Sequence, residues 1–333
     1  MNKRALIVVV AGALAGCTGQ QPAANIGVLP QSETIAQHLS HGHSWMLKDA
    51  ASGDLVYVSE QGNFGKQGVY VYSYPQGKQV GFLQPDSYET YEGVCSDTHG
   101  NVWIVGWIGN RQSFSDEYAH GGTQEISGHG GYGLPSSCAV DPTTGNLAVA
   151  NYIDGAIQGR RGDIAVYKNG SNTPTDYYDD SITYYDYCTY DTKGNLYADG
   201  NANYINILAK NSNTLRHVYF NKSIAPGSLQ WSGGTLTVSE VGGAKGPIRV
   251  DRVTVQGSGA QITGTTTLQT YKDKGQYLDV EFWIQGTIIT GPSPTSSGPT
   301  KTLSFWAYPG GGKVSKTIAA PDNGNFWGVA ISQ

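Results

Sequence analysis

Charge is scarce in this chain. Asp, Glu, Lys and Arg together make up 14% of it, and Lys and Arg nowhere form a block. The formal charge is −5, from 21 basic against 26 acidic side chains. Nucleic-acid binding rests on phosphate neutralisation, so a mildly acidic chain without a basic patch is a poor candidate for it. Anionic lipid headgroups are disfavoured for the same reason. Catalytic signatures are missing too. There is no Gly-x-Ser-x-Gly elbow, His-Glu-x-x-His pair, phosphate loop or dinucleotide fingerprint. Ser and Asp abound, yet none is paired with a base in a way that sequence reveals. The sequence therefore assigns no catalytic residue, no metal ligand and no cofactor. Amphipathic helix is absent beyond a turn or two within residues 32–39.

Glycine and tyrosine are plentiful instead. Gly reaches 46 residues without a collagen-like period, which suits many tight turns in an all-β chain. Short apolar runs end in hairpins whose turns are rich in Asp, Gly and Asn. The clearest are Asp97-Thr-His-Gly-Asn101, Asp141-Pro-Thr-Thr-Gly-Asn146 and Asp191-Thr-Lys-Gly-Asn195. Asp caps such a turn through its side chain, Gly takes positive φ, and Asn tolerates the left-handed region. The strands after these turns centre on Tyr57, Trp103, Ala148, Tyr197, Thr237 and Ile288, at spacings of 40 to 51 residues. That period matches a four-stranded blade and predicts a six-bladed β-propeller over 41–333.

The first blade is expected to run from an inner strand near Ser44–Lys48 through Leu55–Ser59 and Val69–Tyr74 to Gln79–Leu83. The alternation Val69-Tyr-Val-Tyr-Ser-Tyr has the period of two of a strand. Phe326–Ile331 is left over as an inner strand without partners, and the sequence predicts that it closes the ring on the first blade. Residues 106–133 read poorly as strands, so the second blade is expected to be distorted. Pro292–Thr300 is expected to be a loop.

The N-terminus has a different character. Lys3 and Arg4 precede an apolar run, Ala5–Ala15, too short to span a bilayer as a mature helix. It ends in Leu14-Ala15-Gly16-Cys17, which resembles the lipobox of bacterial lipoproteins. The resemblance implies a signal peptide over 1–16, a lipidated Cys17 and a tether over 17–40. It also implies an envelope location, with Thr18 leaning toward the outer membrane of a Gram-negative cell. From about residue 41 onward, the hairpins Val94–Val105 and Cys138–Ala150 resemble those of NHL-repeat and SMP-30/gluconolactonase-like propellers. Those motifs specify a blade rather than a chemistry.

If Cys17 is acylated, Cys95, Cys138 and Cys188 remain, an odd number that cannot pair completely. Cys138 and Cys188 lie three residues before their turn Asp, and Cys95 lies two before, which points it to the other face unless a bulge intervenes. Equivalent positions in neighbouring blades are expected to be too far apart for a disulfide, so all three are read as buried core residues.

In a propeller, the loops after second strands and before inner strands share one face. Glu60, Asn151 and Glu240 fall at the same place there, with Asn201 near the corresponding Gly200. A ring of such oxygens suggests Ca²⁺ in the manner of the gluconolactonase-like proteins, or groups that satisfy loop backbone. Trp107 and Tyr152 lie just past second strands, and Tyr88, Tyr91, Tyr132, Tyr184, Tyr185, Tyr187 and Tyr277 precede or open inner ones. Such rings either pack between blades or form a surface for stacking on a saccharide or peptide. Candidate ligand contacts are thus Glu60, Trp107, Asn151, Tyr152, Asn201 and Glu240. His41-Gly42-His43 lacks a nearby Cys or acidic partner for a metal. Two functions follow as expectations. One is a non-catalytic binding lipoprotein for a glycan, peptide or envelope protein. The other is a metal-dependent hydrolase or lyase acting on a lactone or sugar derivative.

Overall fold

The computed structural model describes residues 26–27, 44–61, 67–84, 90–153, 161–169, 171–240, 248–269, 281–293, 301–321 and 324–333. The leader, Cys17, His41-Gly42-His43, Tyr88 and Tyr277 lie outside these residues, as does nearly all of the tether. Apart from two short 3₁₀ turns, every regular element among the described residues is a strand.

The strands pair antiparallel as consecutive four-stranded meanders, here called units. Units two to six run over 90–132, 134–177, 185–220, 226–269 and 283–319. Unit one is assembled from both ends of the chain. Leu55–Gln61, Gly68–Ser73 and Gln79–Leu83 supply three strands, and Asn325–Ser332 pairs with the first of them, Ala330 opposite Tyr57. The expected inner strand near 44–48 is therefore misplaced. Trp45–Met46 pairs with the outer strand, at Phe82 and Gly81. The apolar stretch Phe326–Ile331 offers six consecutive residues for the inner position, whereas Trp45–Met46 offers two.

Burial on both faces explains the composition of these strands. In the run from Val69 to Tyr72, the two valines join the apolar cluster shared with unit two. The two tyrosines join the cluster shared with unit six. Period two thus sends alternate residues into different seams, so a strand covered on both sides has little use for charge. Among the described residues there are six such clusters, each drawn mainly from two consecutive units, and the sixth unit shares one with the first.

The Asp-turns form as their composition requires. Asp97 Oδ1 accepts from the amides of His99 and Asn101, both at 2.8 Å, and Asp191 Oδ1 does the same for Lys193 and Asn195. Gly100, Gly145 and Gly194 have φ of 82°, 73° and 83°, a region that costs an L side chain about 1 kcal/mol or more.

Two further expectations are corrected. Residues 106–133 form regular strands, Val102–Ile108, Gln112–Tyr118 and Glu125–Tyr132, with Phe114 opposite Gly130. Glycine and serine weaken the strand signal there, but Gln112–Tyr118 supplies the pairing that the local propensity of Glu125–Tyr132 lacks. Moreover, Cys95 and Cys138 form a disulfide, with Cα atoms 5.6 Å apart. Cys95 pairs with Trp103 and Cys138 with Val149, so the two stand one register step apart in their units. That step turns Cys95 toward unit three, while Cys138 faces unit two. Cys188 shares the register of Cys138 and is buried without a partner cysteine.

Candidate functional site

Where the second strand of a unit ends, it meets the start of the inner strand. Glu60 lies opposite Phe326, Asn151 opposite Pro135 and Glu240 opposite Pro226, so the three candidates share one register position and one edge. Their side chains are engaged separately. Glu60 is buried, its carboxylate lying against Gly324. Asn151 is buried and donates to Asp163 Oδ1 at 2.6 Å. Glu240 accepts from Lys222 at 2.8 Å and lies 3.5 Å from Arg249. Burial works to raise the Glu240 carboxyl, but the hydrogen bond and charge of Lys222 with the charge of Arg249 prevail and hold it low. Among the described residues, no group of three or more His, Cys, Asp or Glu is placed to hold a metal ion.

A different cluster forms at the same edge. The inner strands of units one to five break register within their first two residues, as between Tyr91 and Val94 or Phe326 and Val329. Such a bulge frees the skipped residues from the ladder and re-aims their side chains. In unit two the skipped residues are Glu92 and Gly93. Glu92 Oε1 accepts from Trp107 Nε1 at 3.2 Å, and Oε2 accepts from Gln61 Nε2. Burial pushes the Glu92 carboxyl up to about 7, although the bonds from Trp107 and Gln61 work against the rise. Glu281, ahead of the inner strand of unit six, is buried more deeply. Its Oε2 accepts from the amides of Val94 and Val329 at 3.4 and 3.2 Å, and burial lifts it to about 8.

The structure thus gathers Trp107 with Glu92 and Gln61, both of which sequence spacing missed. The only local signal was a Glu-Gly pair interrupting the apolar run of an inner strand.

The aromatic residues divide. Tyr91, Tyr185 and Tyr187 are buried between units. Tyr152 is 45% exposed and stacks on Tyr184, with ring centroids 4.4 Å apart and planes at 25°. Asn201 holds that pair from behind. Its Oδ1 accepts from the Thr183 amide at 2.8 Å, and its Nδ2 donates to Thr183 Oγ1 at 2.6 Å. Asn201 is therefore spent on the loop, whereas Tyr152 faces solvent. Tyr132, 40% exposed, lies on the outer strand of unit two. Inside the inner strands, a cavity of about 240 Å³ is lined by the disulfide, Cys188, Trp231 and Glu281.

No protein-family model and no curated sequence matches the chain. Its fold is similar to solved structures. One is a protein of unknown function from Bacteroides caccae, with a TM-score of 0.60 and 12% identity, covering 84% of this chain and 99% of that one. Another is TolB from Acinetobacter baumannii, also with a TM-score of 0.60 and 12% identity, covering 85% of this chain and 67% of that one. The fold is β-propeller-like. Likeness at this identity speaks for the fold alone.

Proposed function

We propose that the six units close into a six-bladed toroid, and that the chain is an envelope lipoprotein whose propeller face binds a saccharide or peptide without chemistry. Closure is supported by the pairing of the C-terminal strand with Leu55–Gln61 and by the apolar cluster that unit six shares with unit one. The anchor is supported by the Leu14-Ala15-Gly16-Cys17 motif. Changing Cys17 to Ser should release the protein from the membrane fraction. If it stays there, the anchor is lost as a reading.

Binding rests on one observation, the exposed Tyr152–Tyr184 stack held in place by Asn201. Exposed rings with a fixed backbone suit stacking on sugar or peptide groups. Titration with soluble cell-wall muropeptides should show binding that Tyr152→Ala weakens by roughly five- to tenfold. A flat isotherm with folded protein counts against the reading.

A second reading, a hydrolase or lyase acting on a lactone or sugar derivative, is favoured by Glu92. Its carboxyl titrates near neutrality, where a general acid or base works best. Glu92→Gln should then abolish lactone turnover, and an unaffected rate removes that reading.

A further inference from the structure

On the edge opposite the candidate site, a pocket of about 380 Å³ opens between units two and three. Its size lies within the roughly 300–1,000 Å³ of small-molecule sites. At the neighbouring seams the turns are joined directly. Between units three and four, Lys210 Nζ donates to Thr143 Oγ1 at 2.8 Å, and Gly194 packs against Asp141 and Thr143. Between units one and two, Ser332 donates to the Gly100 carbonyl, and the Gly121 amide donates to the Tyr57 hydroxyl at 2.9 Å. Among the described residues, no hydrogen bond or ion pair joins the Asp97 turn to the Asp141 turn. The disulfide holds that seam at its inner end instead.

The floor is an aromatic stack that crosses the seam. His129 lies between Trp103, at 5.3 Å and 10°, and Tyr167, at 4.6 Å and 7°. Burial pushes the His129 imidazole down, toward its neutral form, despite the hydrogen bond with Asn172. The walls carry Asp97, Glu117 and Asp141, with Lys168 as the one Lys or Arg side chain among the lining residues. The two aspartates are saturated by their own turns and supply field rather than bonds. Glu117 differs. Its Oε1 accepts from Asn101 at 3.1 Å, while Oε2 has no hydrogen-bond donor among the described residues. Thr144, Ser127 and Asn169 complete a hydroxyl and amide rim.

We propose that this pocket binds an amino sugar, a primary ammonium on a compact hydroxylated frame, with the ammonium on Glu117. Three carboxylates against one lysine select a cation, the rim matches hydroxyl groups, and the aromatic floor matches the apolar side of a ring. The test is calorimetric titration of the whole protein with glucosamine, glucose and putrescine. Glucosamine is expected to bind at least about tenfold more tightly than either, and Glu117→Gln to remove the advantage over glucose. Ser127→Tyr, which fills the pocket, is expected to abolish binding in a protein of unchanged circular dichroism. Equal binding of glucose or putrescine, an advantage that survives Glu117→Gln, or no glucosamine binding overturns the proposal.

Discussion

The seam between units two and three and the seam between units three and four are built from similar parts and held in different ways. Both have Asp-Gly-Asn turns and apolar inner strands. Between units three and four the turns touch, Gly194 against Asp141 and Lys210 on Thr143, while Ser137 Oγ accepts the Cys188 amide at 3.1 Å between the inner strands. Between units two and three the turns stand apart, a covalent bond secures the inner strands, and a pocket fills the space between. Non-covalent cohesion needs surface in contact, so a seam held only by packing has to be closed along its length. Between units two and three the disulfide, an apolar cluster and the Trp103–His129–Tyr167 stack hold the inner part of the seam, and the turn end stays open.

The largest expected effect separates the two seams directly. Replacing Cys95 and Cys138 by Ser removes a cross-link spanning 43 residues and should cost about 4 kcal/mol. Cys188→Ala in the neighbouring seam should cost about 1 kcal/mol. Denaturant midpoints under non-reducing conditions measure both, and equal losses would break the comparison.

A smaller effect concerns the turns. Gly194→Ala and Gly145→Ala share the penalty for positive φ, at 83° and 73°. An added Cβ would come within 2.8 Å of a side chain at both positions, but at Gly194 it would also meet Asp141 at 3.0 and 3.2 Å beside Thr143 of the neighbouring unit, whereas at Gly145 it would meet only Asn169 of its own unit. Gly194→Ala should therefore be the more destabilising by about 1 kcal/mol, and its excess should shrink in a Thr143→Gly background.

A pH-dependent effect extends the comparison to the junction of units six, one and two, where Glu281 receives the Val94 and Val329 amides. Burial pushes its carboxyl up to about 8, above the ordinary 4.5 of a glutamate, so the folded state holds the proton more tightly. Its contribution to stability is full below about 4.5 and is lost as pH rises through about 8. Relative to Glu281→Gln, the native protein should lose stability from pH 5 to pH 8. A thermal melting difference that does not change with pH would show that Glu281 carries no such load.

Much of the architecture was legible because local chemistry repeats. Asp97, Asp141 and Asp191 cap turns from within the turn itself, and Val69–Tyr72 alternates in a way that only strands use. Residues 106–133 were less legible, since Gly128, Gly130 and Gly131 weaken a strand whose pairing comes from Gln112–Tyr118. The candidate site was legible only in outline. Register alone aligned Glu60, Asn151 and Glu240, but their partners Gly324, Asp163 and Lys222 lie 12 or more residues away along the chain. Glu92 escaped notice because its importance comes from a bulge.

By itself the sequence determined what depends on neighbours along the chain: strand periodicity, the Asp-Gly-Asn turns, the spacing of the repeat and the unpaired run at Phe326–Ile331. Tertiary structure alone decided what depends on which faces meet across a seam. One register step makes a disulfide of Cys95 and Cys138 and leaves Cys188 a free thiol. That step has physical meaning only once two sheets are packed against each other, because only then does each side chain acquire a partner on the opposite wall.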